Sequence, residues 1–218
     1  MNELIFFFHI LVVVSFVLAA LRLGKSSLIA LIALQGVLAN LFVVKQMSLF
    51  GLSVTCSDVF AIGTILSLNL LQEFFGKEAA KHATRIAFLT LLFFALVSQI
   101  HLLYVPTPLD TTHAAFSAIF SSSPRIIFAS IATFYLIQQI DVRIFSFLKG
   151  ALPIRISISL IISQLLDTIL FSFLGLYGLV ESLSAIIVVS LLIKGMIIIA
   201  SAPFTLFAKR FVKHDLSI

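Results

Sequence analysis

Tryptophan is absent from the sequence, and cysteine occurs once, as Cys56. A single cysteine excludes an intramolecular disulfide framework and argues against a multi-cysteine metal site. We therefore interpret Cys56 as an ordinary small apolar residue, the usual behaviour of a free cysteine. Without tryptophan, an aromatic belt at a membrane surface has to be built from the three tyrosines and from phenylalanines near helix ends.

Charged residues are also scarce. They make up 11% of the 218 residues, whereas soluble domains contain about 25%. Apolar residues make up 61%, against about 45–50% in soluble domains. A soluble fold of this size cannot bury so much apolar surface. The sequence therefore predicts an integral membrane protein, whose surface faces lipid.

Seven apolar stretches approach the length of about 20 helical residues that crosses a bilayer. They are Leu4–Leu21, Leu28–Val44, Asp58–Phe75, Ile86–Tyr104, Arg125–Leu148, Ile156–Tyr177 and Leu183–Phe207. The second and third are the shortest, so a count of six stays open. The first lacks the basic start of a signal peptide and is predicted to be a retained helix. No linker or repeat divides the chain, so residues 1–218 are predicted to form one domain, an all-α polytopic transmembrane bundle.

Basic residues alternate between the connections of these helices. One set of connections, together with the C-terminal tail, holds most of them: Arg22, Lys25, Lys77, Lys81, Arg85, Arg143, Lys149, Arg155, Lys209, Arg210 and Lys213. The opposite set holds Lys45 and Arg125. Because positive charge gathers in short cytoplasmic loops, this pattern predicts an external N-terminus and a cytoplasmic C-terminus. Membrane topology thus explains the net charge of +5 better than nucleic-acid binding does.

Polar residues inside the predicted spans are the candidates for function. An ionisable group near the bilayer centre costs about 2.5–3.5 kcal/mol on insertion scales, so it faces the protein interior or a watery cavity. Asp58, Asn69, Gln72 and Glu73 share one face of the third span, because their spacings are close to whole helical turns. The remaining polar candidates in the spans are Gln35, Asn40, Gln138, Gln139, Asp141, Gln164, Asp167 and Lys194.

Asp167 and Lys194 are the strongest of these candidates, since each lies well inside an apolar stretch. A structural alternative is a buried ion pair that locks the sixth span to the seventh. Asp58, Glu73 and Asp141 lie near predicted helix ends, where solvation or helix capping is the alternative to a role in binding.

Enzyme motifs are missing from the chain. It contains no HExxH, GxSxG or phosphate-binding Walker loop, and no pair of histidines at metal-ligand spacing. We therefore predict no enzymatic activity, no cofactor and no metal site. Two other classes of function stay open, namely a membrane enzyme and a purely structural subunit.

Five sequence blocks resemble the bacterial queuosine precursor transporter family, also called the vitamin uptake transporters. The blocks are Ala39-Asn40 with Lys45, NLLQEFFGKEAAK at 69–81, Pro124-Arg125 with Ala129-Ser130 and QQIDVRIF at 138–145, SQLLDTILF at 163–171, and Ile193-Lys194 with Pro203. The similarity extends from about residue 28 to 210, in matching order. The resemblance implies a six-helix core with an extra first helix, located in the bacterial inner membrane. It also implies uptake of 7-deazaguanine precursors of the tRNA nucleoside queuosine, or of the base queuine.

One departure from the family pattern concerns two residues on the same helical face. The family commonly carries Asn near the position of Asp58 and Asp near that of Asn69, and here the two are exchanged. A carboxylate and an amide are still both presented, at swapped heights along the helix. The exchange bears on which 7-deazaguanine is preferred and on a binding role for Asp58.

The polar set suits such a cargo chemically. A 7-deazaguanine carries a ring N–H beside an amino group, and one carboxylate can accept a hydrogen bond from each of them. Its carbonyl oxygen needs a hydrogen-bond donor. The predicted substrate-binding residues are Asp167, Gln164, Lys194, Asn69, Glu73, Gln138, Asn40, Asp58 and Asp141. The alternative function is a transporter or a substrate-binding subunit for another small vitamin or nucleobase. A homo-oligomer and a proton carried by Asp167 or Glu73 also stay open.

Overall fold

A computed structural model describes residues 1–55, 57–121, 124–178 and 182–212. Within these residues, seven helices are long and apolar enough to cross a membrane, as the sequence predicted. The elements are α1 (Asn2–Leu23), α2 (Lys25–Phe42), β1 (Gln46–Leu49), β2 (Leu52–Thr55), α3 (Asp58–Phe75), α4 (Lys77–Leu102), α5 (His113–Phe120), α6 (Pro124–Phe147), α7 (Leu152–Phe171), α8 (Leu183–Thr205) and α9 (Ala208–Phe211). The transmembrane helical fold is thereby confirmed. The orientation of the termini and the single domain stay predictions.

Helix α3 lies at the centre of the bundle and contacts α1, α2, α4, α6, α7 and α8. Most of its residues are buried, including the polar Ser67, Asn69 and Gln72. A helix enclosed by other helices does not need an apolar surface on every side, because protein rather than lipid surrounds it. The outer helices instead expose large side chains such as Phe16, Phe93 and Ile161, as a lipid-facing surface requires.

Helix α4 begins at Lys77, whereas its apolar stretch predicted a start at Ile86. Gly76, with a φ of 88°, separates it from α3 without a loop. The helical turns before Ile86 bury small residues such as Ala80 and Ala83, and the charged side chains of the same turns face outward. Hydrophobicity alone detects only the part of a helix that lipid surrounds, so it misses this amphipathic beginning.

The antiparallel hairpin of β1 and β2 was not predicted. Its turn residues Phe50 and Gly51 both have positive φ, 52° and 77°, which is the geometry of a type I′ turn. Such turns favour Asn-Gly, and Phe-Gly does not carry that signal. The hairpin is bound to the start of α1, where Asn2 donates to the Ser48 carbonyl at 2.8 Å and Glu3 accepts from the Phe50 N–H at 3.2 Å.

Two further differences concern the ends of the later spans. The segment 105–124, which lies between the fourth and fifth predicted spans, contains the short helix α5, whose start is held by Asp110. A π-helical turn, Ser172–Leu176, continues α7. Arg125 donates from Nε to the Leu174 carbonyl of this turn at 2.8 Å. Cys56 and Lys213, which were named from the sequence above, lie outside the described residues.

Candidate functional site

A cavity of about 580 Å³ lies among α2, α3, α6, α7 and α8 at the end of the bundle that carries the hairpin. Cavities of about 300–1,000 Å³ are typical small-molecule sites. Val44 and Gln46 at its hairpin end are exposed, whereas Gln138, Gln164 and Lys194 at its deep end are buried. The cavity therefore opens towards the hairpin.

An ion pair forms part of the cavity wall. Lys194 lies midway along α8, and its Nζ donates to Asp167 Oδ2 on α7 at 2.7 Å and to Thr168 Oγ1 at 3.0 Å. The Lys194 side chain is 5% exposed and that of Asp167 is 26% exposed. Because the ammonium is almost enclosed while the carboxylate still faces the cavity, a ligand can reach Asp167 without separating the pair.

A second carboxyl group, that of Asp58, lines the same cavity at the start of α3. It interacts electrostatically with both Lys194 and Asp167. Among the described residues it makes no hydrogen bond and no salt bridge, so it is available to a ligand. Two carboxyl groups and one ammonium therefore lie in this wall, and the site favours a cationic or donor-rich partner.

Amide and hydroxyl groups complete the polar lining. Asn40 of α2 is fixed, since it donates to the Gly36 carbonyl at 3.0 Å and accepts a short hydrogen bond from Ser130 of α6. Gln138 has no partner for either amide atom among the described residues, and Gln164 has none for its Oε1. Buried polar atoms are nearly always satisfied in native proteins, so unsatisfied ones beside a cavity favour a polar ligand or water there.

Aromatic and aliphatic side chains form the rest of the wall. Phe134 and Phe171 line the cavity together with Ile65, Ile137 and Val189. A flat aromatic cargo can stack on such faces, which adds about 0.5–1.5 kcal/mol per pair beyond the area that it buries. The cavity thus combines planar apolar surfaces with a small number of directed polar groups.

Six of the nine predicted substrate-binding residues line this cavity, and three lie beyond its deep end. Those on the wall are Asn40, Asp58, Gln138, Gln164, Asp167 and Lys194. Asn69, Glu73 and Asp141 do not line it. Asn69 is completely buried one helical turn beyond the wall residue Ile65, and Asp141 is completely buried one turn beyond Gln138. Both are therefore separated from the cavity by about a turn of helix.

Glu73 belongs to a separate cluster at the end of the bundle opposite the hairpin. It accepts from Arg155 Nη1 at 2.7 Å, and the Arg155 guanidinium lies 4.4 Å from the centre of the Phe145 ring. Nearby, Gln72 donates to the Val142 carbonyl at 3.0 Å and to Ser146 at 2.8 Å. These contacts hold α3, α6 and α7 together, so that end of the bundle is closed.

Several lining residues were missed by the sequence analysis. Thr168 follows Asp167 directly and binds the same ammonium, and Ser130 fixes Asn40. Both lie within the sequence blocks that carry the family resemblance, so they could have been proposed. Phe134 and Thr133 had no such signal, because Phe and Thr are common in helices that face lipid. In the part of the chain that the structure describes, no cluster of His, Cys, Asp and Glu could hold a metal ion.

A bundle of seven membrane-length helices with a charged cavity, open at one end and closed at the other, defines a membrane transporter for small molecules. Residues 55–208 match the family described as "Putative vitamin uptake transporter". The chain is also 32% identical over 223 residues to the "Probable queuosine precursor transporter" of Bacillus subtilis (strain 168), a match that covers 98% of this chain and 97% of the relative. No solved structure matches it. This chain belongs to the vitamin uptake transporter family.

Proposed function

We propose that this protein imports queuosine precursors, that is 7-deazaguanine bases or queuine, across the inner membrane of a bacterium. The observation that carries the proposal is the cavity itself, whose wall contains Asp167, Lys194 and the carboxyl group of Asp58 together with Phe134 and Phe171. The name of the Bacillus subtilis relative supports the same class of cargo. The protein carries this cargo without chemical change, and it is not an enzyme.

Recognition follows from matching hydrogen bonds. One carboxylate of the cavity accepts the ring N–H and the neighbouring amino group of the base in bidentate fashion. Gln138, Gln164 or Lys194 donates to the carbonyl oxygen, and Phe134 or Phe171 stacks on the ring. A cationic aminomethyl substituent is then bound by the other carboxylate. Asn69, Glu73 and Asp141 do not contact the cargo in this arrangement.

The conformation corresponds to the outward-facing state of an alternating-access cycle. With the N-terminus outside, as the basic loops predict, the hairpin and the cavity mouth face the exterior. The contacts of Glu73, Arg155, Phe145 and Gln72 then form an inner gate. Uptake requires this inner gate to open while the hairpin end closes over the cargo.

Cargo identity can be tested in bacterial cells that lack both synthesis of queuosine and their own transporter. Radiolabelled queuine and its two 7-deazaguanine precursors are supplied separately, and queuosine in tRNA is measured. We expect the wild-type chain to restore the modification with at least one compound, and Asp167→Asn to abolish the restoration. Asp110→Asn makes the same chemical change in an exposed residue outside the cavity and serves as the matched control.

The outcomes separate the cargo from the site. Restoration that survives Asp167→Asn and Lys194→Ala unchanged would show that the charged pair does not bind the cargo. Failure of every compound with well-expressed protein would reject queuosine precursors and leave another vitamin or nucleobase as the cargo.

A further inference from the structure

A buried carboxyl group lies directly beyond the deep end of the cavity. Asp141 of α6 is 0% exposed, and its Oδ1 accepts hydrogen bonds from two hydroxyl groups of α7, Ser159 at 2.5 Å and Ser163 at 2.7 Å. Its Oδ2 is buried as well and has no hydrogen-bond partner among the described residues. One oxygen of this carboxyl group therefore accepts two hydrogen bonds, whereas the other is left unsatisfied by the described residues.

No positive charge balances Asp141, since no described basic side chain lies within salt-bridge distance of it. Helix α6 packs against α3, α4, α7 and the π-helical turn. The nearest acid of α3, Glu73, and the nearest base of α7, Arg155, are paired with each other, and Asp167 of α7 is paired with Lys194. The π-helical turn carries no titratable group. The remaining charged groups at that end are exposed or only partly buried: His82, Arg85, Lys77, Glu78 and Lys81 on α4, and Arg143 on α6 itself.

The residues of the cavity wall that lie nearest to Asp141 along the two helices are polar. Gln138, which lines the cavity, precedes it by one turn on α6, and Gln164, also in the wall, is the neighbour of Ser163 on α7. The carboxyl group therefore lies about one helical turn, roughly 4.5 Å along the axis of α6, beyond a residue of the cavity wall.

Asn69 lies at the same level of the bundle on α3. Gln72, one turn further along α3, donates to the Val142 carbonyl, so Asn69 is level with the segment 138–142 of α6. The Asn69 side chain is fully buried, and neither of its amide atoms has a partner among the described residues. Asn69 and Gln138 therefore both carry unsatisfied amide oxygens at this level of the bundle, the type of acceptor that an O–H group on Asp141 Oδ2 needs.

We propose that Asp141 is the proton-binding site that couples cargo transport to the proton gradient. The inference rests on the proposed import function and adds the energy source to it. A neutral carboxyl group can remain sealed between α6 and α7, because it leaves no unbalanced charge and donates its proton to a neighbouring amide. The anion needs water, so the proton is released when the two helices separate at the inner gate. A sodium ion is the alternative cation, and it would need several oxygen ligands around the same carboxyl group.

Purified protein in liposomes separates coupling from cargo binding. The first assay is exchange of labelled for unlabelled cargo without any gradient, and the second is net accumulation driven by an inward proton gradient. With one proton per neutral cargo molecule, wild-type accumulation reaches about tenfold per unit of pH difference. We expect Asp141→Asn to continue exchange while its accumulation ratio falls to about one. Asp110→Asn should behave as wild type in both assays, and Asp141→Glu should retain part of the accumulation.

A second measurement does not depend on the cargo. Infrared spectra of the wild-type protein, recorded across a pH titration, should show a carboxyl band that disappears as the proton leaves and that is absent from Asp141→Asn. If the wild-type protein exchanges none of the compounds, the proposed cargo is wrong, and this band alone decides whether Asp141 binds a proton. Accumulation by Asp141→Asn equal to wild type, a requirement for a sodium gradient, or an unchanged infrared titration in Asp141→Asn would each overturn the proposal.

Discussion

The ammonium of Lys194 on α8 contacts the carboxylate of Asp167 on α7 at 2.7 Å, so the two central charges of the sequence form one pair in the cavity wall. The sequence offered two interpretations of these residues, a structural lock and a binding site. The partial exposure of Asp167 is compatible with both, because the pair joins two helices and still faces the cavity. Substitutions can measure the two contributions separately.

Replacing Lys194 with Met should abolish uptake and lower the free energy of unfolding by about 3 kcal/mol. This is the low end of the range for breaking a buried pair, because Asp167 is 26% exposed and water can partly solvate it. The double variant Asp167→Asn with Lys194→Met should regain most of the stability, since no unbalanced charge remains, but not the uptake. Thermal unfolding in detergent and cellular uptake provide the two measurements. Full uptake by the double variant would mean that the pair is only a structural lock.

Replacing Gly36 with Ala should impair uptake by moving an aromatic ring of the cavity. A Cβ atom at this position would lie 2.6 Å from Cζ and 3.0 Å from Cε2 of Phe134, so the ring has to shift. Overpacking of this kind costs about 1–3 kcal/mol. We expect weaker cargo binding in a ligand-binding assay and a lower unfolding temperature.

Gly195→Ala is the control for this change. It lies next to Lys194 in α8, and a Cβ atom there meets no atom within 4 Å. We expect unchanged uptake and a gain of up to about 1 kcal/mol from the higher helix propensity of alanine. Equal effects of the two substitutions would contradict the proposed role of Phe134.

Replacing Glu73 with Gln should loosen the inner gate. The Glu73–Arg155 pair is partly exposed, so its loss is worth about 1 kcal/mol, or about a fivefold change in the population of the open state. A cysteine at the buried position Val142, in a Cys56→Ser background, reports the change through its rate of reaction with an impermeant thiol reagent applied from the inside. We expect this rate to rise about fivefold.

Lys81→Gln breaks the exposed pair of Lys81 and Glu78 at the same end of the bundle and serves as the control. Its effect on the Val142→Cys reaction should be negligible, because that pair does not join different helices. A similar increase in both variants would indicate general loosening rather than a gate.

The hydrogen bonds by which Asp110 caps the N-terminus of α5 should depend on pH. The backbone N–H and the hydroxyl of Thr112 and the backbone N–H of His113 donate to its carboxylate, which lowers its pKa below the usual value of 3.8. A lowered pKa means that the stabilisation is complete above about pH 3.8 and is lost as the pH falls through the lowered value. The amide NMR shifts of Thr112 and His113 should follow this titration. In Asp110→Asn, which keeps an acceptor oxygen, they should not move in that range.

The sequence predicted the seven spans because a long apolar helix is encoded locally. It also predicted that Asp58 and Asn69 share a helical face, since that follows from the helical repeat alone. Which of the two reaches the cavity depends on where α6, α7 and α8 converge, and only the packed bundle determines that depth. The contact of Asp141 with Ser159 could not be predicted from the sequence either. It joins two helices, and no local pattern specifies how far one helix is shifted along the other.

The π-helical turn Ser172–Leu176 has a consequence for how this cavity can change over evolutionary time. A π turn contains one residue more than an α-helical turn at the same place, which is what a single-codon insertion into a helix leaves behind. The wider turn absorbs the added residue locally, so the side chains on either side of it keep the faces that they would have on an uninterrupted α-helix. Ser172 and Leu176, the first and last residues of this turn, both line the cavity, so the gain or loss of one residue here changes the wall locally. Selectivity at the entrance can thus diverge through chain length, while the charged pair in the middle of the membrane is left unaltered.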